Sequence, residues 1–246
     1  MPDLVRQAMF NLLRGHTEGV AVLDAFCGTG PIGIEALSRG AARCVFVERD
    51  AKTAAVLERN LAELGLTDRT EIVRGDALGP GTLARCPSPV HLAFFDPPYP
   101  MARSSEAWQR VLLQLARVGS KLTADGYLVV RTPWPFWHEG GAADEPTATG
   151  RRGRGQGAGG RGARTPRTVS VSLDDAGADD LLDAFEAELE KAAEGVEAEP
   201  DGESGASGGP EKSRSRGVLA IPGLIGPETH PYGHTAVHLY MRAPDA

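Results

Sequence analysis

The chain has 246 residues, with 26 Lys and Arg against 33 Asp and Glu, a formal net charge of −7. No apolar run reaches the ~20 residues of a membrane-spanning helix, and the opening MPDLVRQAMFNLL lacks the basic, apolar and small-residue order of a secretory signal. Cys27, Cys44 and Cys86 are odd in number with no C-x-x-C pair, which argues against a disulfide framework and for a reducing, cytoplasmic setting.

The charge is uneven. Asp174 to Glu203 holds 13 acidic residues and one basic, whereas Arg151 to Arg167 holds six arginines and no acid. Outside those stretches 19 basic residues face 20 acidic ones, so the acidity belongs to a single segment. Residues 139–216 contain 15 glycines and one aromatic, Phe185. Such a segment buries too little apolar surface to offset its ordering entropy, and it is expected to be a disordered low-complexity insert. It would separate residues 1–138, the first part of the core, from residues 217–246, which complete it. Inside the insert Leu181, Leu182, Phe185 and Leu189 fall at helical spacing, predicting a short amphipathic helix over Asp180–Glu194.

Around the insert, strands alternate with helices. Val20–Phe26 is a continuous apolar run, the pattern of a strand covered on both faces. Pro31 opens a helix that Gly40 stops, and Cys44–Glu48 is the second strand. Ala51–Gly65 is helical, Thr70–Gly75 and Val90–Phe95 are strands, Ser104–Gly119 is a helix and Asp125–Thr132 a fifth strand. Gly217–Ile221 and His234–Arg242 are expected to close the sheet as an antiparallel pair. The order predicts an α/β fold with a doubly wound, mostly parallel seven-stranded sheet and an antiparallel edge.

Two motifs carry chemistry. Asp24-Ala-Phe-Cys-Gly28-Thr-Gly30-Pro-Ile-Gly33 joins the first strand to its helix, and its glycines let a ligand approach the backbone. Asp24 is placed to meet a ligand's amino group. Glu48, at the end of the second strand, is placed to hold ribose hydroxyls with both oxygens, and Asp76 after the third strand to face an adenine amine. Glu48 also reads as a solvated carboxylate, and Asp76 as a turn or helix cap. The second motif, Phe95-Asp96-Pro97-Pro98-Tyr99, leaves the fourth strand, where ligands bind at carboxyl ends of strands in such sheets. A backbone carbonyl of the rigid Pro-Pro turn and the Asp96 carboxylate can both accept from one NH2 group, with Tyr99 stacked on the ring that bears it. Aligning the lone pair of a poorly nucleophilic aromatic amine would lower a transfer barrier. A plain proline-rich turn is the bland alternative.

Together these residues resemble the S-adenosylmethionine-dependent methyltransferases of exocyclic amines. With Val5–Leu13, Leu23–Ala41, Val45–Asp50, Phe95–Tyr99 and Tyr232–Tyr240, the chain looks like the RsmD family, whose members methylate N2 of guanine 966 in 16S ribosomal RNA. The resemblance implies a Rossmann-like class I methyltransferase fold with S-adenosylmethionine as cofactor. Asp24, Phe26, Gly28 and Gly30 would border the methionine part, Glu48 the ribose, and Asp76 with Ala77 the adenine. Asp96, Pro97, Pro98 and Tyr99 would hold the guanine, with no metal. The implied partner is 16S ribosomal RNA or an assembling small ribosomal subunit, met by a monomer without a membrane. The family opens with a basic β-hairpin that this chain lacks, and the Arg/Gly tract of the insert is a candidate substitute for RNA contact. Alternatives are a DNA amino-methyltransferase, a non-catalytic RNA-binding assembly factor and a nicotinamide-dependent oxidoreductase.

Of the remaining residues, His230, His234 and His238 recur every four positions, but in a strand the last two lie roughly 13 Å apart, too far for one metal ion. Cys27 is expected to pack rather than react. Trp134, Phe136 and Trp137 are expected to cover the core edge or shape an RNA-facing rim.

Overall fold

The computed structural model describes residues 3–139 and 214–244. The helices are α1 (Asp3–Leu12), α2 (Pro31–Ser38), α3 (Ala51–Glu63), α4 (Pro80–Arg85), α5 (Tyr99–Arg103) and α6 (Ser105–Gly119). The strands are β1 (Ala21–Ala25), β2 (Arg43–Glu48), β3 (Thr70–Arg74), β4 (Val90–Phe95), β5 (Leu122–Pro133), β6 (Trp137–Glu139), β7 (Arg214–Arg216), β8 (Leu224–Tyr232) and β9 (Thr235–Arg242).

Apolar runs become central strands because both of their faces are covered. In β4, Leu92 and Phe94 pack with Phe10 of α1, Leu37 of α2 and Leu57 of α3. Their neighbours Ala93 and Phe95 face Trp108, Leu112 and Leu115 of α6. The seven-stranded sheet has the order β3-β2-β1-β4-β5-β9-β8. From β3 through β5 the neighbours are parallel, and β9 pairs antiparallel with both β5 and β8. The chain reverses its direction of winding between β1 and β4, so the carboxyl ends of those strands open a crevice.

Local signals set the elements around it. Gly30, at φ 89°, turns the chain into α2, and Pro31 occupies the first helical position. A Cβ on Gly33 would run into the Phe46 ring, so glycine lets α2 lie close on β2. Asp50 caps α3 by accepting from the Thr53 amide at 2.8 Å, and Ser104 caps α6 through the Ala107 amide.

One expected strand is elsewhere. Gly217–Ile221 is irregular chain, and its place beside β9 is taken by Leu224–Tyr232. Gly226, Pro227 and Pro231 hid that strand in the sequence, and an edge position tolerates them because half of its backbone groups need no partner. Gly217–Ile221 instead lies across the core. Trp108 donates to the Val218 carbonyl at 2.6 Å, and the Tyr240 hydroxyl to that of Leu219 at 2.8 Å.

The proposed insert begins and ends in order. Trp137–Glu139 and Arg214–Arg216, at the two ends of the expected insert, form a two-stranded antiparallel ladder. Residues 140–213, with the predicted helix at Asp180–Glu194 and the Arg/Gly tract, lie outside the described residues. Phe136 is buried against Trp108 at 4.8 Å between ring centroids, which makes it a core residue, whereas Trp137 is exposed.

Candidate active site

A cleft of about 300 Å³ opens at the carboxyl ends of the strands, lined by residues from five separate segments. Phe26 follows β1; Glu48, Arg49 and Asp50 follow β2; Asp76 and Ala77 follow β3. Asp96, Pro97 and Pro98 leave β4, and Arg131 lies near the carboxyl end of β5. Most of the residues picked out in the sequence therefore converge, although they span more than seventy positions.

Glu48 is held from both sides. Its Oε2 accepts from the Gly28 amide at 3.0 Å and its Oε1 from the Asp50 amide at 2.8 Å. Each carboxylate oxygen keeps a second lone pair, so the group stays able to accept from the cleft while its orientation is set by backbone. Gly28, at φ 58°, and Gly30 shape the turn behind it and do not line the cleft. Phe26 adopts φ 62°, a conformation rare for a bulky side chain. It sets its ring edge-on to Phe95 at 6.3 Å.

Asp24 is fully buried rather than exposed in the cleft. Its Oδ2 accepts from the Gly33 amide at 2.8 Å, and its Oδ1 has no partner among the described residues. Burial pushes the Asp24 carboxyl up to about 7, opposed by the Gly33 amide and assisted by the negative charges of Asp96 and Glu48. An unfolded chain releases this proton near 3.8, so Asp24 favours the folded state fully below about pH 4 and loses that contribution as pH rises through about 7. We expect Asp24→Asn, which cannot titrate, to gain melting temperature relative to wild type between about pH 4 and about pH 8 in ligand-free protein. A flat difference would mean that Asp24 is already ionised in the fold.

Asp76 does two jobs at once. Its Oδ1 accepts from the Leu78 amide at 3.0 Å, forming the turn, while the side chain still lines the cleft. Gln114 of α6, buried, supports the same loop by donating to the Ala77 carbonyl at 3.0 Å.

At the other wall, Tyr99 lines a groove with Pro100, Arg103 and Ser104. Arg131 joins Tyr99 to the cleft, its Nε donating to Asp96 Oδ1 at 2.6 Å and an NH group to the Tyr99 hydroxyl at 2.9 Å. Sequence reasoning missed Arg131; the available signal was a charged residue directly after the apolar run of a strand, near the ligand-binding end of the sheet.

The remaining candidates have structural partners. Cys27 is buried and its thiol is pushed up by burial, in keeping with packing. His238 is buried between the hydroxyls of Thr132 and Thr229, at 2.8 and 2.9 Å, and burial lowers it to about 4. His230 pairs with Glu228.

This sheet order, with its glycine turn after the first strand and acidic residues ending the first, second and fourth, defines the class I methyltransferase fold. Residues 1–134 match the family described as conserved hypothetical protein 95, the RsmD family, and the chain belongs to it. It is 36% identical to YlbH of Bacillus subtilis (strain 168) over 128 residues, 52% of this chain and 67% of that protein. It is also 36% identical to ribosomal RNA small subunit methyltransferase D of Escherichia coli (strain K12) over 97 residues, 39% of this chain and 48% of that one. The matches thus span about two thirds of one relative and half of the other. The solved structure of yhhF from Escherichia coli superposes with a TM-score of 0.55 at 20% identity, covering 98% of this chain and 84% of that one, a likeness of fold.

Proposed function

We propose that this protein transfers a methyl group from S-adenosylmethionine to the exocyclic N2 amine of a guanine in 16S ribosomal RNA, guanine 966 by resemblance. The observation that carries the reading is the Asp96-Pro97-Pro98 turn, which forms one wall of a cleft whose other walls are Phe26, Glu48, Asp76 and Ala77. A nucleoside-bearing methyl donor and an amine are thereby brought to opposite sides of one carboxylate.

The residues present fit that cofactor. Asp24 offers a buried oxygen without a donor among the described residues, suited to the cationic amine of a methionyl group, and Glu48 offers two oriented acceptors for ribose hydroxyls. Asp76 and Ala77 would flank the adenine. When bound, S-adenosylmethionine supplies an electrophilic methyl on a sulfonium. The protein's part is to hold the acceptor. The Pro98 carbonyl already accepts from the Met101 and Ala102 amides, so the second acceptor for the guanine amine falls to Pro97, beside Asp96. With both hydrogens held, the nitrogen lone pair points at the donor, and Asp96 stabilises the positive charge that grows on nitrogen as the bond forms. Tyr99, in the outer groove, would stack on the base as it enters from that side.

The relatives support ribosomal RNA as the acceptor, because one is named for small-subunit ribosomal RNA. The partner would be that RNA or the assembling subunit, met by a monomer in the cytoplasm, where three buried thiols stay reduced. Among the described residues no helix is long and apolar enough to cross a membrane.

The test is transfer of radiolabelled methyl to 16S RNA, to small subunits from cells lacking the modification, and to duplex DNA. Label recovered as N2-methylguanine from RNA or subunits is the expected result. Label in DNA alone, or a protein that binds the cofactor and labels nothing, would overturn the reading.

A further inference from the structure

The acceptor groups of the site are not free to turn. Arg131, on β5 next to β4, is only 12% exposed and Asp96 14%, so their pairing is shielded from solvent. The guanidinium takes Asp96 Oδ1 at 2.6 Å, the Tyr99 hydroxyl at 2.9 Å and, at 3.4 Å, the hydroxyl of Thr235 on β9. Its central carbon also lies 5.1 Å from the Tyr99 ring centroid. Thr235 is itself anchored, donating to the Thr132 carbonyl at 2.8 Å. One cation therefore ties the carboxylate, the aromatic ring and two strands into a single unit.

We propose that Arg131 is a positioning residue of the transfer reaction, acting through Asp96 and Tyr99 rather than on the substrate. With Oδ1 held by the guanidinium, Oδ2 is the oxygen that keeps both lone pairs for the target amine, and the carboxylate no longer rotates about its side-chain bonds. With its hydroxyl and one face engaged, Tyr99 presents its other face to a base. A planar fork suits this task because its donors diverge in one rigid plane, whereas an ammonium is a point charge that reorients. A plug that the base must displace would use the same contacts, and the two differ in the sign of what removal does.

This inference rests on the reading of the site as an amine methyltransferase, and its test separates the two. Arg131→Ala is expected to lower kcat by roughly 10- to 100-fold, as small misplacements of reacting groups do, while cofactor affinity by calorimetry stays within about threefold. Guanidinium added at low concentration should restore part of the lost rate, an effect that a merely structural role would not produce. Arg131→Lys should fall between, since an ammonium can hold Asp96 or Tyr99 but not both in plane.

An active wild type with unchanged kcat in Arg131→Ala, or with raised kcat/KM for RNA, would overturn the inference and leave the reading standing. So would a folded, cofactor-binding Arg131→Ala that guanidinium does not rescue. If Arg131→Ala fails to fold, Arg131→Lys decides, and full activity there would overturn the inference. A wild type that binds cofactor and transfers nothing would overturn both.

Discussion

Replacing Asp96 with alanine is expected to lower kcat for methyl transfer by roughly 100- to 1,000-fold, the loss typical of a group that stabilises charge only in the transition state. Cofactor affinity should stay within about threefold, because in the proposed reaction Asp96 serves the acceptor amine and Glu48 and Asp76 serve the cofactor. Alanine also strands the Arg131 guanidinium, whose carboxylate partner is only 14% exposed, so part of any loss in melting temperature belongs to an unpaired cation. Asp96→Asn separates the effects. Its amide oxygen still accepts from Arg131, and its NH2 is a donor where the target amine needs an acceptor, so the variant should be nearly as slow and more stable. Single-turnover rates and thermal melts of both variants check this. Normal turnover in either would remove Asp96 from the reaction.

The second large effect is expected on binding. Glu48→Ala should weaken S-adenosylmethionine by roughly 10- to 100-fold, since hydrogen bonds to a charged group contribute about 1.5–3 kcal/mol. At saturating cofactor, kcat should remain within a few-fold of wild type. The loss has two sources. The acceptors proposed for the ribose disappear, and the Gly28 amide loses the oxygen that holds the glycine turn to the end of β2, as the Asp50 amide beside it loses its own. Glu48→Gln keeps one accepting oxygen, so only one amide can be served, and it should fall between. Calorimetry on the three proteins measures the series, and unchanged affinity in Glu48→Ala would mean that another residue holds the ribose.

The site was legible to different depths at different residues. Glu48 and Asp76 could be placed at strand ends because an apolar strand gives its own period and length, and the residue following it must lie at the rim of the sheet. The turn role of Asp76 was one of its two sequence readings, and the Leu78 amide bears it out. The hold of the Gly28 amide on Glu48 was not legible, because it forms only once β1 and β2 lie side by side. Asp24 was expected to meet a ligand's amino group; its burial, with one oxygen engaged by Gly33 and the other without a partner among the described residues, was not legible. Tyr99 was expected beside Asp96, and what the sequence did not show is that one guanidinium, that of Arg131, donates to both.

The edge of the sheet shows the opposite failure. Gly217–Ile221 has the composition of a strand, and Leu224–Tyr232 has two prolines and a glycine. Composition favoured the first. Burial decided for the second, because Gly217–Ile221 meets Trp108 and Tyr240 and covers the core, while an edge strand needs hydrogen bonds along one side only.

By itself, then, the sequence determined the alternation of strands and helices, the glycine turn into α2 and the Asp96-Pro97-Pro98-Tyr99 turn, since each rests on local periodicity or on residues with restricted backbone. Tertiary structure alone decided that Arg131 joins Asp96 to Tyr99, that β8 takes the edge, and that the ends of the 139–216 segment pair as a ladder. The Arg131 contacts and the ladder join residues 32 to 79 positions apart, and the edge went to β8 because Gly217–Ile221 packs on Trp108 and Tyr240. No local preference specifies such contacts, which exist only when packing brings the partners within hydrogen-bonding distance.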